Sequence, residues 1–189
     1  MSKINAFTLL MEGTRAAAKA AKHKSTISRS ASSIPVSPPS STPTSPKKEF
    51  EHLLQFDGGS RGNPGIAGSG SVIYFRSSEM WNRSVYLGDK RTNNYAEYYG
   101  LIIGLIGAKE LKIRNLKIQG DSKLIINQVT GKFTTKSEVL IPLYQRVLKE
   151  LKHFDNVEFE HIYRNKNKRA DELANNAMDA KMDADAYLL

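Results

Sequence analysis

No cysteine occurs among the 189 residues. That excludes a disulfide-stapled scaffold and any metal site built on thiolates, and it fits a reducing, intracellular setting. Long hydrophobic runs are missing as well. The most apolar stretch, 101–108, is interrupted by Gly104 and Gly107 and is far too short to span a bilayer. With no secretory hydrophobic segment visible, no membrane association is expected. Acids are nearly absent from positions 1–48, which hold eight Lys/Arg against the single acid Glu12, a net +7. The remainder carries twenty basic and eighteen acidic residues, so only +2 of the chain's +9 belongs to it. Basicity is a property of the tail, and the length suits one domain with an appendage.

Residues 25–48 are mostly Ser, Thr and Pro. Such a stretch cannot bury enough surface to offset ordering entropy, so a disordered linker is expected there. Within residues 1–24, Ile4, Phe7, Leu10 and Met11 recur at helical spacing ahead of an Ala/Lys-rich run, the pattern of a short amphipathic helix. Three readings fit it: a mitochondrial presequence met by an import receptor, a nuclear peptide laying Phe7, Leu10 and Met11 into a protein partner's groove, and a solvated tail. The expected location is the nucleus or the mitochondrion. Residues 49–182 are expected to form the folded domain, as a monomer, with 183–189 as a C-terminal tail.

The folded part alternates regularly. Strands are predicted over 52–57, 65–75, 81–87, 115–120 and 157–163, and helices over 94–111, 122–129, 139–154 and 169–182. Three adjoining strands followed by strand–helix alternation predict a mixed five-stranded α/β sheet in the order β-β-β-α-β-α-α-β-α, with helices on both faces.

Four carboxylates stand in distinctive contexts: Asp57 in FDGGSRGNPG, Glu97 in TNNYAE, Asp121 in IQGDSKLI and Asp171 in NKNKRADELAN. Two of them follow β-like runs and two lie in helical periodicity. Carboxylates gathered at one point repel unless cations lie between them, which implies Mg²⁺ or Mn²⁺. An all-oxygen site of this kind points to phosphoryl chemistry with two ions. Each acid also has an ordinary explanation. Asp57 could cap a turn, Glu97 could be a solvated helix residue, and Asp121 an N-cap. Asp171 could favour a helix dipole, and Glu172 beside it is a rival. Gly58, Gly59, Gly62 and Gly65 around Ser60 exceed what one chain reversal needs. Read as a loop, they would let backbone amides approach phosphate and sugar.

Taken together and in this order, the four motifs resemble those of the ribonuclease H type 1 family, over roughly residues 50–182. The resemblance implies hydrolysis of the RNA strand of RNA–DNA hybrids, leaving 5′-phosphate and 3′-hydroxyl ends. It implies two Mg²⁺ ions, with Mn²⁺ as substitute. Asp57 and Asp171 would hold the one that activates water, and Asp57, Glu97 and Asp121 the one at the leaving oxygen. Asn93 and Asn94 would lie in the minor groove, and Thr92 and Asn63 would grip a DNA-strand phosphate. Their alternatives are helix capping and turn formation. His161, ten residues before Asp171, matches a histidine that assists turnover; it could instead be a strand residue paired with Glu160 or a neighbouring strand. Arg164 and Asn167 fit the R-x-x-N-x-x-AD pattern of compact archaeal and plant-like members, where they would brace the loop or contact phosphate. RNA would be told from DNA by its 2′-OH.

The chain departs from longer members by lacking the basic, Trp-bearing protrusion between Asp121 and Asp171. Lys123, Lys132, Lys136, Arg146 and Lys149 are the basic residues left to compensate, although surface lysines also serve solubility alone. Modest affinity and low processivity are expected. Two other function classes fit less well: a non-cleaving nucleic-acid-binding or adaptor module on the same fold, and a related polynucleotidyl transferase.

Overall fold

A strand meander opens the folded part of the computed structural model, which describes residues 50–181. β1 (His52–Arg61) pairs antiparallel with β2 (Gly65–Phe75), and β2 with β3 (Ser78–Arg91). Helix α1 (Asn93–Glu110) then crosses to β4 (Asn115–Gly120), which lies parallel to β1. Short α2 (Lys123–Val129) and α3 (Ile141–Leu151) lead to β5 (Asn156–His161), parallel to β4. A 3₁₀ turn (Arg164–Lys166) and α4 (Lys168–Ala180) complete the fold. The sheet order is β3-β2-β1-β4-β5, the mixed five-stranded architecture that the sequence pattern predicts. The expected segments 1–24, 25–48 and 183–189 lie outside the described residues.

Side-chain alternation along β2 sorts the helices onto two faces. Ser69 and Ser71 donate to the α1 carbonyls of Ala96 and Gly100, at 2.6 and 2.5 Å, and Ile73 joins the core beneath α1. The intervening Gly68, Gly70 and Val72 lie against α4, Val72 packing on Ala170 and Leu173. The larger core joins Leu54, Phe56 and Ile118 of the sheet to Tyr98, Leu101 and Leu105 of α1 and to α2 and α3. Each fully buried side chain of that size contributes about 1.5–3 kcal/mol of transfer free energy.

Several boundaries differ from those that the sequence pattern predicts. β1 does not stop at Asp57 but runs four residues further, and β3 is twice as long as 81–87. Glycine's low strand propensity suggests a loop over 58–61, yet Gly58 and Gly59 sit opposite Ser69 and Gly68 in the ladder, small against small. α1 starts at Asn93 because the Thr92 side chain caps it, accepting from Tyr95 N at 3.3 Å. α3 covers 141–151 rather than 139–154, opening at a proline suited to a helix's first turn. β5 ends at His161, before the 3₁₀ turn, and α4 ends at Ala180. No helix among the described residues is long and apolar enough to cross a membrane.

Candidate active site

Two glycines set the helix-to-strand approach that builds the site. A Cβ on Gly58 would lie 2.1 Å from the Ala96 carbonyl carbon, and one on Gly100 would lie 2.5 Å from the Asp57 carbonyl oxygen. Without them α1 could not lie flush on β1, and Glu97 could not reach Asp57. On the other side of β1, the pairing with β4 ends at Phe56 opposite Gly120. Asp57 and Asp121 are therefore the first residues past the point where the two parallel strands part, where open α/β sheets make their binding crevices.

Carboxylate oxygens of Asp57, Glu97 and Asp121 all lie within 4.8 Å of one another. They line a cleft of about 260 Å³ together with Gly59, Asn93, Arg164, Asp171 and Asn175. Asp171 faces this cleft from the first turn of α4, but its oxygens are turned to other partners. Arg164 Nη2 donates to Oδ1 at 2.5 Å and Asn175 Nδ2 to Oδ2 at 3.1 Å. Its rival Glu172 is ion-paired with Arg169 at 3.1 Å and does not line the cleft. A larger cleft of about 420 Å³, lined by Phe50, His52, Leu111 and Arg114 among others, gathers no such acids.

The electrostatics match the geometry. Burial first, then the Asp121 and Asp171 charges, push the Asp57 carboxyl up to about 7, against the Gly58 N–H, which donates to it at 2.7 Å. Burial, followed by Asp57 and Asp121, also pushes Glu97 well above the usual carboxylate range. Glu97 Oε2 is buried without a hydrogen-bond partner. Crowded, partly desolvated oxygens with one orphaned acceptor are the donor set that a hard divalent cation satisfies.

The remaining sequence-predicted residues form a collar around this cluster. Ser60 N donates to Asn93 Oδ1 at 2.6 Å, Ser60 Oγ to the Arg91 carbonyl at 2.6 Å, and Asn93 N to Asn63 Oδ1 at 3.0 Å. This knot ties the β1–β2 turn to the start of α1, leaving Asn63, Thr92 and Asn93 exposed and Asn94 half-buried. His161 sits outside the cleft, its Nε2 donating to the Asp121 carbonyl at 3.2 Å and its ring edge-on to Tyr163.

Two residues expected at the nucleic acid are buried. Gly58 lies under α1 with its N–H serving Asp57, and still lines the cleft. Asn167 is 0% exposed, donating to the Phe56 carbonyl at 2.9 Å and to Asp121 Oδ1 at 2.8 Å. It therefore cannot touch phosphate from where it lies. Asn175 lines the cleft without being among the expected site residues. Its position four residues after Asp171, one helical turn along the same face, was the available signal.

Comparison with known proteins adds an independent line. The family model described as reverse transcriptase-like matches residues 55–177. A bifunctional protein of Mycobacterium tuberculosis is 40% identical over 129 residues, 68% of this chain and 35% of the relative. The chain thus spans about a third of that relative's length. The N-terminal RNase H domain of the mycobacterial protein superposes with a TM-score of 0.66 over 68% of this chain and 94% of the solved one. Ribonuclease HI of Halobacterium salinarum is 37% identical over 66% of this chain and 62% of its own. Its crystal structure gives a TM-score of 0.66, covering 98% of that chain. A compost-derived RNase H1, solved in complex with RNA/DNA hybrid, is 35% identical with a TM-score of 0.65, over 69% of this chain and 98% of its own.

Proposed function

Because the chain belongs to the reverse transcriptase-like family, among its ribonuclease H type 1 members, we propose that it is a metal-dependent endoribonuclease cutting the RNA strand of RNA–DNA hybrids. The observation that carries this reading is the convergence of Asp57, Glu97 and Asp121 within 4.8 Å, in a cleft that Asp171 also lines. These four acids would hold two Mg²⁺ ions, or Mn²⁺ in their place. When bound, such ions supply a nucleophilic water near neutral pH and charge neutralisation for the leaving 3′-oxygen.

The protein's own groups do the rest. Asp57, which feels the charges of both Asp121 and Asp171, would serve both ions. Glu97 Oε2, orphaned and buried, is a ready ligand atom. Arg164 stands at the cleft with its side chain 76% exposed, so it can meet a phosphate while remaining near Asp171. Asn93 and Asn94 present amides at the rim, where a minor groove displaying 2′-hydroxyls would tell the RNA strand from the DNA strand. Thr92 and Asn63 stand beside them for a phosphate of the DNA strand. Cleavage would leave 5′-phosphate and 3′-hydroxyl ends.

The test is cleavage of a 5′-labelled RNA strand with Mg²⁺ or Mn²⁺, offered as hybrid, RNA duplex, single strand and DNA duplex with one embedded ribonucleotide. Internal cuts confined to the hybrid are expected. Tight hybrid binding without cleavage under either metal would replace this reading with a non-cleaving binding module.

A further inference from the structure

The first residue before α4 behaves unlike a helix cap. An asparagine at that position ordinarily turns its side-chain oxygen back onto the first helical N–H groups. Asn167 occupies the N-cap of α4 and makes no such bond. Its amide turns the other way, and Nδ2 spans two acceptors on different strands: the Phe56 carbonyl of β1 at 2.9 Å and Asp121 Oδ1, just past β4, at 2.8 Å. Its Oδ1 is left buried with no partner. An unsatisfied buried acceptor carries a desolvation cost that needs a compensating reason. Rotating the amide would only place that oxygen against two other oxygens, so the orientation is enforced by what Nδ2 holds.

We propose that Asn167 is a positioning residue that sets the spacing of three of the four carboxylates; the proposal rests on the metal-dependent reading above. β1 and β4 lose their ladder after Phe56 and Gly120. The Asn167 amide bridges the gap at that point, fixing the backbone immediately before Asp57 to the side chain of Asp121. Its own carbonyl accepts from Asp171 N at 3.1 Å, which registers α4, and with it Asp171, against the same pair. One fully buried residue thus links the residue before Asp57 and Asp121 itself through its side chain, and through that anchored position it places the helix turn bearing Asp171, which its main-chain carbonyl joins. Its donor also restrains one Asp121 oxygen, Oδ1. Partners of this kind orient ligands, and their loss ordinarily weakens metal affinity or activity by about 10–100-fold.

The experiment compares the full-length chain with Asn167→Ala, titrating Mn²⁺ by electron paramagnetic resonance without substrate and measuring hybrid cleavage in parallel. We expect Mn²⁺ affinity to weaken by about 10–100-fold, with kcat down at limiting Mn²⁺, restored at saturating Mn²⁺, and KM for hybrid unchanged. A variant that melts earlier but binds Mn²⁺ as wild type does would make Asn167 merely structural and overturn the proposal. Raised KM with unchanged Mn²⁺ affinity would overturn it too, in favour of a substrate contact. If Asn167→Ala does not melt cooperatively, Asn167→Ser, too short to span both acceptors, is judged by the same outcomes. A wild-type chain that neither binds Mn²⁺ nor cuts hybrid would refute the metal-dependent reading before any substitution is made.

Discussion

On α3, the carboxylate of Glu150 is 2% exposed and held by two cationic side chains of the protein, Arg146 Nε at 2.8 Å and Lys109 Nζ at 3.4 Å, with the His153 imidazole at 3.8 Å. At the cleft, Asp57 is also buried, yet among the described residues no cation bonds to it or to Glu97. The two arginines that line that cleft are engaged elsewhere, Arg61 with Asp179 and Arg164 with Asp171. A buried acid is costly unless a counter-charge accompanies it. The fold supplies one at Glu150 and withholds it at Asp57, where the acids crowd each other instead. The difference teaches that the cleft is incomplete by construction: it is a place for a cation that the chain does not carry.

The sharpest way to break this comparison is Asp57→Asn. Removing the acid that the proposed mechanism gives to both ions should cost cleavage more than the roughly 100-fold typical of losing an outer-shell partner. Stability should move the other way. The Asp57 carboxyl is held near 7 in the fold against 3.8 when unfolded. Between those values the folded chain binds a proton that the unfolded chain has lost, so metal-free stability falls as pH rises from about 4 to about 7. Asp57→Asn should therefore melt higher than wild type at pH 8 without metal, by on the order of 2–4 kcal/mol. Added Mg²⁺ should stabilise wild type and not the variant. Thermal melts at pH 5 and pH 8, with and without Mg²⁺, check this, and a variant that melts lower in metal-free buffer at pH 8 would contradict it.

Glu150→Gln probes the opposite arrangement. Here the acid is matched, so its loss should destabilise by about 1–3 kcal/mol; its partners are each at least one-third exposed and can turn to water, which keeps the cost below that of stranding a buried charge. Hybrid cleavage at 25 °C should be unchanged, because α3 contributes nothing to the cleft. A folded Glu150→Gln protein that no longer cuts would mean the two acid sites are coupled.

How far these sites were legible in the sequence follows the same divide. The four acids stand out because each sits in a motif, and β2 and β4 were read to the residue because their apolar runs end in clear turns. Glu150 drew no notice: an acid four residues after an arginine on a helix looks like a solvated pair, and only the packing of α3 on α1 buries it. Gly58–Arg61 read as loop because glycine disfavours strands when isolated. The close approach of α1, which demands glycine at position 58, is a tertiary fact. For Asn167 the motif left bracing the loop and contacting phosphate both open, since burial, which rules out the phosphate contact, is invisible to a motif.

Two histidines sharpen the comparison with the smallest expected effect. His153 belongs to the Glu150 cluster, and His161 lies beside the cleft, linked to Asp121 only through the main-chain carbonyl at 3.2 Å. Because its ring reaches no carboxylate of the cluster and does not line the cleft, His161 cannot carry the reaction as Asp57 does. It can steady the Asp121 backbone or carry a proton after leaving that carbonyl, and either role is worth far less than an ion ligand. His161→Ala should therefore slow turnover by about 10–100-fold, with KM for hybrid unchanged, while His153→Ala should leave cleavage as it was. Steady-state kinetics across pH 6–9 would separate the two roles: a proton carrier's loss flattens the pH profile, whereas loss of a backbone support lowers it uniformly. Equal rates for His161→Ala and His153→Ala would remove His161 from the site, leaving the carboxylates and their asparagine and arginine braces as the whole of it.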